Sequence, residues 1–215
     1  MAGQAFDGVI FDMDSTLVDS LPAIVRVWTR FAERYRLTAE DLSGLFGLSS
    51  GAIVDLLVPA ERRAEALAWI TEHELSDQEG VVALPGAAHA LAAAGERAAV
   101  ATSATRPMAY ARLAAAGLPQ PAVLVTASDV VRAKPDPQIF LAAAAGLGVD
   151  PARCLVAEDA PNGLRAARAA GMATVAVTTT HTAEQLAPLA DVVVPDLSHV
   201  GLRLDGARVL VSAPR

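Results

Sequence analysis

Two aspartates, Asp12 and Asp14, stand two residues apart behind the apolar run Gly-Val-Ile-Phe. Carboxylates that share one site have their proton affinities pushed apart, so that one can attack as a nucleophile while the other handles protons. A pair of capping or loop aspartates is the plainer alternative. Thr102 and Ser103 close a second apolar run, where hydroxyls and the N–H groups that follow can bond a phosphoryl oxygen or cap the next helix. Ser128 and Asp129 follow a third run, and Lys134 stands further along the same loop, stiffened by Pro135-Asp136-Pro137. Glu158 and Asp159 close a fourth and open a turn through Ala160-Pro161-Asn162-Gly163. Hard oxygens of this kind suit Mg²⁺, which keeps several waters and takes one or two protein carboxylates. Acidic side chains at a helix start would also be favourable there without a metal.

Lys134 stands out by count. Of 17 lysines and arginines in the chain, all but Lys134 are arginine. A coding bias toward arginine explains the surface, and makes the exception informative, because lysine differs in being a compact point charge on a slim stem. The remaining composition narrows the partners. The net charge is −7 over 215 residues, and no basic cluster beyond Arg62-Arg63 offers a nucleic-acid footprint. An anionic small substrate must then be held locally, against the global field. Four histidines, at 73, 89, 181 and 199, show no metal-ligand spacing. The single cysteine, Cys154, excludes an internal disulfide and sits in the apolar run Cys-Leu-Val-Ala, which suits a small core residue rather than a nucleophile. No run approaches the roughly 18 apolar residues of a membrane span, and residues 1–6 carry neither a basic flank nor an apolar signal core. A monomer in a reducing cytoplasm is the expected setting.

The elements that must position these residues follow from periodicity. Short apolar runs at 6–11, 98–101, 123–126, 154–156, 174–177 and 192–194 read as strands. Helical patterns at 87–94, 107–116, 137–147, 161–170 and 182–187 alternate with them, which specifies an α/β fold with a mostly parallel sheet and helices on both faces. The tail over 202–211 reads as a hairpin around Asp205-Gly206. Between the first strand and the rest, helices are expected at 21–35, 49–57 and 59–75, with no strand pattern over 38–80. The expectation is a discontinuous core, 1–17 and 84–215, interrupted by an all-helical cap, 18–83. In open parallel sheets ligands bind beyond the C-terminal ends of the strands, and the polar groups above follow four such ends.

Taken in order, Asp12-Met13-Asp14-Ser15-Thr16-Leu17-Val18-Asp19-Ser20, Val100-Ala101-Thr102-Ser103, Lys134-Pro135-Asp136-Pro137 and Glu158-Asp159-Ala160-Pro161-Asn162-Gly163 resemble the four motifs of the haloacid dehalogenase superfamily of phosphohydrolases. The resemblance covers nearly the whole chain and implies a Rossmann-like core with a small helical cap. It implies that Asp12 forms an aspartyl-phosphate, that Asp14 protonates the leaving alkoxide and then activates water, and that Thr102, Ser103 and Lys134 hold the phosphoryl group. It implies Mg²⁺ held by Asp12, Asp14 through its backbone carbonyl, and Asp159, with Glu158 assisting directly or through water. Ser15 departs from the glycine usual at its position, which implies a tighter turn. The stretches around the motifs are similar to small sugar-phosphate and polyol-phosphate phosphatases, including those acting on 2-deoxyglucose 6-phosphate and glycerol 3-phosphate.

Two readings compete within that resemblance. A β-phosphoglucomutase-like mutase would need a cap His and Arg, where this chain has Ile24 and Ser50. A non-catalytic binding protein would not need the full Asp12, Asp14, Thr102, Lys134 and Asp159 set. For the substrate's far end, Glu72, His73 and Glu74 offer either hydroxyl partners or a solvated helix face. Arg106 either meets the leaving group or serves its own helix.

Overall fold

The computed structural model describes residues 3–45 and 48–212. In chain order the strands are β1 Ala5–Phe6, β2 Gly8–Phe11, β3 Val18–Asp19, β4 Val82–Ala83, β5 Ala98–Ala101, β6 Val123–Val125, β7 Cys154–Glu158, β8 Ala173–Val177, β9 Val192–Val194, β10 Gly201–Asp205 and β11 Arg208–Ser212. The helices are α1 Leu21–Tyr35, α2 Ser50–Leu57, α3 Arg63–Ser76, α4 Ala87–Ala94, α5 Arg106–Ala115, α6 Gln138–Leu147, α7 Pro161–Ala169 and α8 Ala183–Leu186.

Six strands form one sheet in the order β6-β5-β2-β7-β8-β9, with every neighbouring pair parallel. Buried on both faces, β2 and β5 contain only small and apolar residues, as a doubly covered parallel sheet requires. The alternation of side chains sorts them into two cores. Val9, Phe11 and Val100 pack with α4 and α5, whereas Ile10, Ala99 and Ala101 pack with α6 and α7. The expected strand over 6–11 is split. Asp7 breaks the run by turning to Arg153 and Arg208, and β1 pairs with β11 in a separate three-stranded sheet. The tail hairpin forms as expected, with Asp205 opposite Arg208.

Helices α1, α2 and α3 close around their own apolar cluster, in which Phe31 is fully buried among Val27, Ile53, Val54 and Ile70. The spacing of α1 is that of an amphipathic helix, and Pro22 at its first turn removes an N–H that would have had no helical partner. Unforeseen from the sequence, β3 and β4 pair antiparallel where the chain leaves for these helices and where it returns. No helix among the described residues is long and apolar enough to cross a membrane.

Candidate active site

Backbone ladders fix the strand ends. Asp12, the residue after β2, donates its N–H to the Ala157 carbonyl of β7 at 2.9 Å, and Thr102, the residue after β5, donates to Val125 of β6 at 3.0 Å. The two side chains are therefore set by neighbouring strands rather than by loop conformation. Beyond Asp12 the chain turns sharply, with the N–H groups of Thr16, Leu17 and Val18 all directed at the Met13 carbonyl. Ser15 takes φ 64° in this turn, the left-handed region that glycine enters without strain. The tighter turn expected for serine is thus a turn of glycine geometry held by a serine.

Lys134 reaches this edge from the loop between β6 and α6. Gln138 pins that loop by accepting from the N–H groups of Val131 and Arg132, and the Lys134–Pro135 peptide is cis. Only 5% exposed, Lys134 donates to Asp12 Oδ1 at 2.6 Å, to Glu158 Oε1 at 2.9 Å and to the Ala101 carbonyl at 3.2 Å, and lies 4.9 Å from the centre of the Phe140 ring. Both oxygens of Glu158 are engaged, since its Oε2 accepts the Ala160 N–H at 2.7 Å. Its position explains Gly163, where any Cβ would lie 1.6 Å from Glu158 Oε1. Asp159 accepts from Thr16 at 3.4 Å and from Thr180, which follows β8. That makes the end of β8 a fifth contributor, one that the sequence reading did not count.

Carboxylate oxygens of Asp12, Glu158 and Asp159 lie within 4.8 Å of one another, all three residues buried. Burial, with repulsion from Glu158 and Asp159, raises the proton affinity of Asp12 well above the usual carboxylate range, despite the opposing pull of Lys134. Burial, then Glu158, lifts Asp159 to about 7. Burial alone would lower Lys134, but Asp12 and Glu158 outweigh it and hold the ammonium charged. Three buried carboxylates against one lysine leave an excess of negative charge, and hard oxygen donors packed this closely fit a small divalent cation such as Mg²⁺.

The Asp14 carboxylate stands outside that cluster. Its Oδ1 accepts from Ser20 at 2.6 Å and its Oδ2 from Arg112 on α5 at 2.7 Å. Arg112 is buried, and the sequence reading missed it. It lies one turn from the buried Met108 on the apolar face of α5, a place for a partnered arginine. Glu74 was only one of three candidates on its helix, although Ala66, Ile70 and Glu74 recur every four residues along the buried stripe of α3. It accepts from Trp28 Nε1 at 3.0 Å and from Ser50 at 2.8 Å. Glu72 is exposed, and His73 stacks on Trp69 with centroids 3.8 Å apart.

Asp12, Asp14, Thr102, Ser103, Lys134, Glu158 and Asp159 all border one cavity of about 450 Å³ beneath the helical layer. Thr105, not Thr102 or Ser103, is the N-cap of α5, so capping does not account for the two hydroxyls. Thr102 Oγ1 accepts the Ala104 N–H at 3.1 Å and keeps its own proton to donate. Arg106 turns outward to Asp129 at 2.7 Å, which removes it as a leaving-group contact. Cys154 is buried in the core, its thiol pushed up by burial to about 12, too high for a nucleophile.

Comparison with known proteins gives this site its class. The model of the haloacid dehalogenase-like hydrolase family matches residues 6–171, and the chain belongs to that family. Among curated relatives, hexitol phosphatase A of Escherichia coli strain K12 is 42% identical over 177 residues, 79% of this chain and 82% of the relative. Validoxylamine A 7'-phosphate phosphatase of Streptomyces hygroscopicus subsp. limoneus is 36% identical over 204 residues, 89% of this chain and 94% of the relative. Among solved structures, a hydrolase from Pseudomonas syringae superposes with a TM-score of 0.78 at 28% identity, over 89% of this chain and 94% of that one.

Proposed function

We propose that this protein is a Mg²⁺-dependent phosphatase that hydrolyses monophosphate esters of sugars or polyols through an aspartyl-phosphate. The observation that carries this reading is the buried lysine between Asp12 and Glu158, beside the Asp12, Glu158 and Asp159 oxygens. The names of the hexitol and validoxylamine phosphatases support the substrate class.

In this reading Asp12 attacks phosphorus, a new P–O bond forms to its carboxylate, and the ester P–O bond breaks. Asp14 gives its proton to the departing alkoxide, which leaves as the alcohol. Asp14 then takes a proton from water as that water attacks the phosphorus of the aspartyl-phosphate, releasing inorganic phosphate and restoring Asp12. Ser20 and Arg112 hold the Asp14 carboxylate by both oxygens. Lys134, Thr102 and Ser103 hold the transferring oxygens. Mg²⁺ would be held by Asp12, Asp159 and the Asp14 backbone carbonyl, with Glu158 acting mainly through Lys134, and it would neutralise charge on the phosphoryl oxygens.

We infer also that residues 18–83 form a cap on a core made of 1–17 and 84–215. The separate cluster around Phe31 and the β3–β4 pair at the junction support that division. A mutase would have to hold a second phosphate. Among described residues of the helical layer that border the cavity, none is basic and one, Glu74, is acidic.

A screen of phosphate release across hexitol, hexose, glycerol and nucleoside monophosphates with Mg²⁺ tests the reading. Sugar and polyol esters are expected to lead, and Asp12→Asn is expected to lose about 10⁴-fold or more on every ester. A wild-type protein inactive on all of them with Mg²⁺ present would overturn it.

A further inference from the structure

On the sheet side of the cavity Asp12, Asp14, Thr102, Ser103, Lys134, Glu158 and Asp159 have tasks in the proposed phosphoryl transfer, whereas the one acidic group on the helical side has none. Glu74 is 9% exposed and borders the cavity, yet no arginine or lysine among the described residues forms an ion pair with it. Its two oxygens are fixed by neutral donors, Trp28 Nε1 at 3.0 Å and Ser50 Oγ at 2.8 Å. A buried carboxylate with so little compensation is costly to retain for stability alone. Each oxygen has a second lone pair, so the group can still accept from a ligand.

Arg112 supplies the complement. It borders the same cavity and is near enough to act on Glu74 through its charge, but its close partner is Asp14 at 2.7 Å. A guanidinium carries five N–H donors, and Asp14 Oδ2 takes from one nitrogen only. The cavity thus offers an acceptor and a donor near each other, the donor beside Asp14. A hydroxyl is both donor and acceptor and satisfies such a pair at once. A second phosphate or a carboxylate satisfies only Arg112, which Asp14 already neutralises, and meets repulsion from Glu74. Burial raises the proton affinity of Glu74, with Asp14 adding to it against Arg112, Ser50 and Trp28, which agrees with a carboxyl kept from water and from full charge compensation.

We propose that Glu74 is a specificity-determining residue that, with Arg112, receives a hydroxyl of the leaving alcohol and disfavours leaving groups that carry a second anion. This rests on the phosphatase reading and adds the residue that selects within it.

The test compares kcat/KM for sorbitol 6-phosphate, p-nitrophenyl phosphate, which has no distal hydroxyl, and fructose 1,6-bisphosphate. In the wild type the sorbitol ester is expected to lead. In Glu74→Gln its lead over p-nitrophenyl phosphate is expected to fall about ten-fold, mostly through KM, while its lead over the bisphosphate narrows. A loss shared in proportion by all three esters would show a structural role and overturn the proposal, as would a wild-type enzyme with no preference among them. Should Glu74→Gln fail to fold, Trp28→Phe decides, because it keeps an aromatic ring and removes the N–H that fixes Glu74. A fall in the same ratio supports the proposal, and an unchanged ratio overturns it. No phosphate release from any ester would instead strike the phosphatase reading on which it rests.

Discussion

On the sheet side of the cavity, Asp12, Glu158 and Asp159 sit at strand ends fixed through the backbone, and Lys134 reaches them from a loop. On the helical side, an apolar wall carries one buried acid fixed by an indole and a hydroxyl. The sheet side spends its stability on chemistry, since Asp12, Lys134, Glu158 and Asp159 share a space from which water is largely excluded. The helical side is an ordinary small core, with Phe31 packed 4.4 Å from Tyr35 and 5.0 Å from Trp28 between ring centres. Damage to the first should remove turnover with little effect on folding, and damage to the second the reverse.

The sharpest attempt to break that contrast is Lys134→Arg. It keeps the charge and supplies the cation used everywhere else in the chain, but a planar guanidinium does not fit the 2.6 and 2.9 Å contacts to Asp12 and Glu158. A fall in kcat/KM of about 10²–10³-fold is expected on p-nitrophenyl phosphate. The complementary change, Phe31→Ala, is expected to remove about 3–5 kcal/mol of stability, read from the urea midpoint. At a temperature where it is folded, its turnover should stay closer to wild type than that of Lys134→Arg.

Asp159→Asn is the subtlest of the three. With a folded proton affinity near 7, far above that of an unfolded aspartate, Asp159 stays protonated in the folded chain at pH values where the unfolded chain has lost the proton. Its contribution to metal-free stability therefore rises as pH falls from about 8 to about 5, on the order of 1–3 kcal/mol. Over the same range Mg²⁺ affinity should weaken, since proton and cation compete for one carboxylate. Asparagine should flatten both dependences and cut Mg²⁺-stimulated phosphate release about 100-fold. Urea midpoints in EDTA across pH, beside Mg²⁺ titrations, read both.

The same contrast explains what the sequence disclosed. Sheet-side residues follow apolar runs, and a parallel sheet brings its strand ends to one edge, so Asp12, Thr102, Lys134, Glu158 and Asp159 were legible as a set. Their ordered motifs also carried the family. Thr180 escaped because its strand end lacks an acid or lysine, and Arg112 because a basic residue on an alanine-rich helix looks like a solvated one. Glu74 was legible only as one acid among neighbours, since its partners Trp28 and Ser50 lie on other helices and helix packing has no short sequence signature. The β3–β4 pair was illegible for its length, two residues a strand, too short for periodicity.

That short ribbon has a consequence for the history of such chains. Asp19 stands opposite Val82, so the chain between them leaves and returns through one doorway. A segment with adjoining ends can be exchanged for another of different length or shape without moving a strand end. A chain that keeps the doorway can change what lies beyond it while Asp12 and its neighbours stay where the strand ends put them.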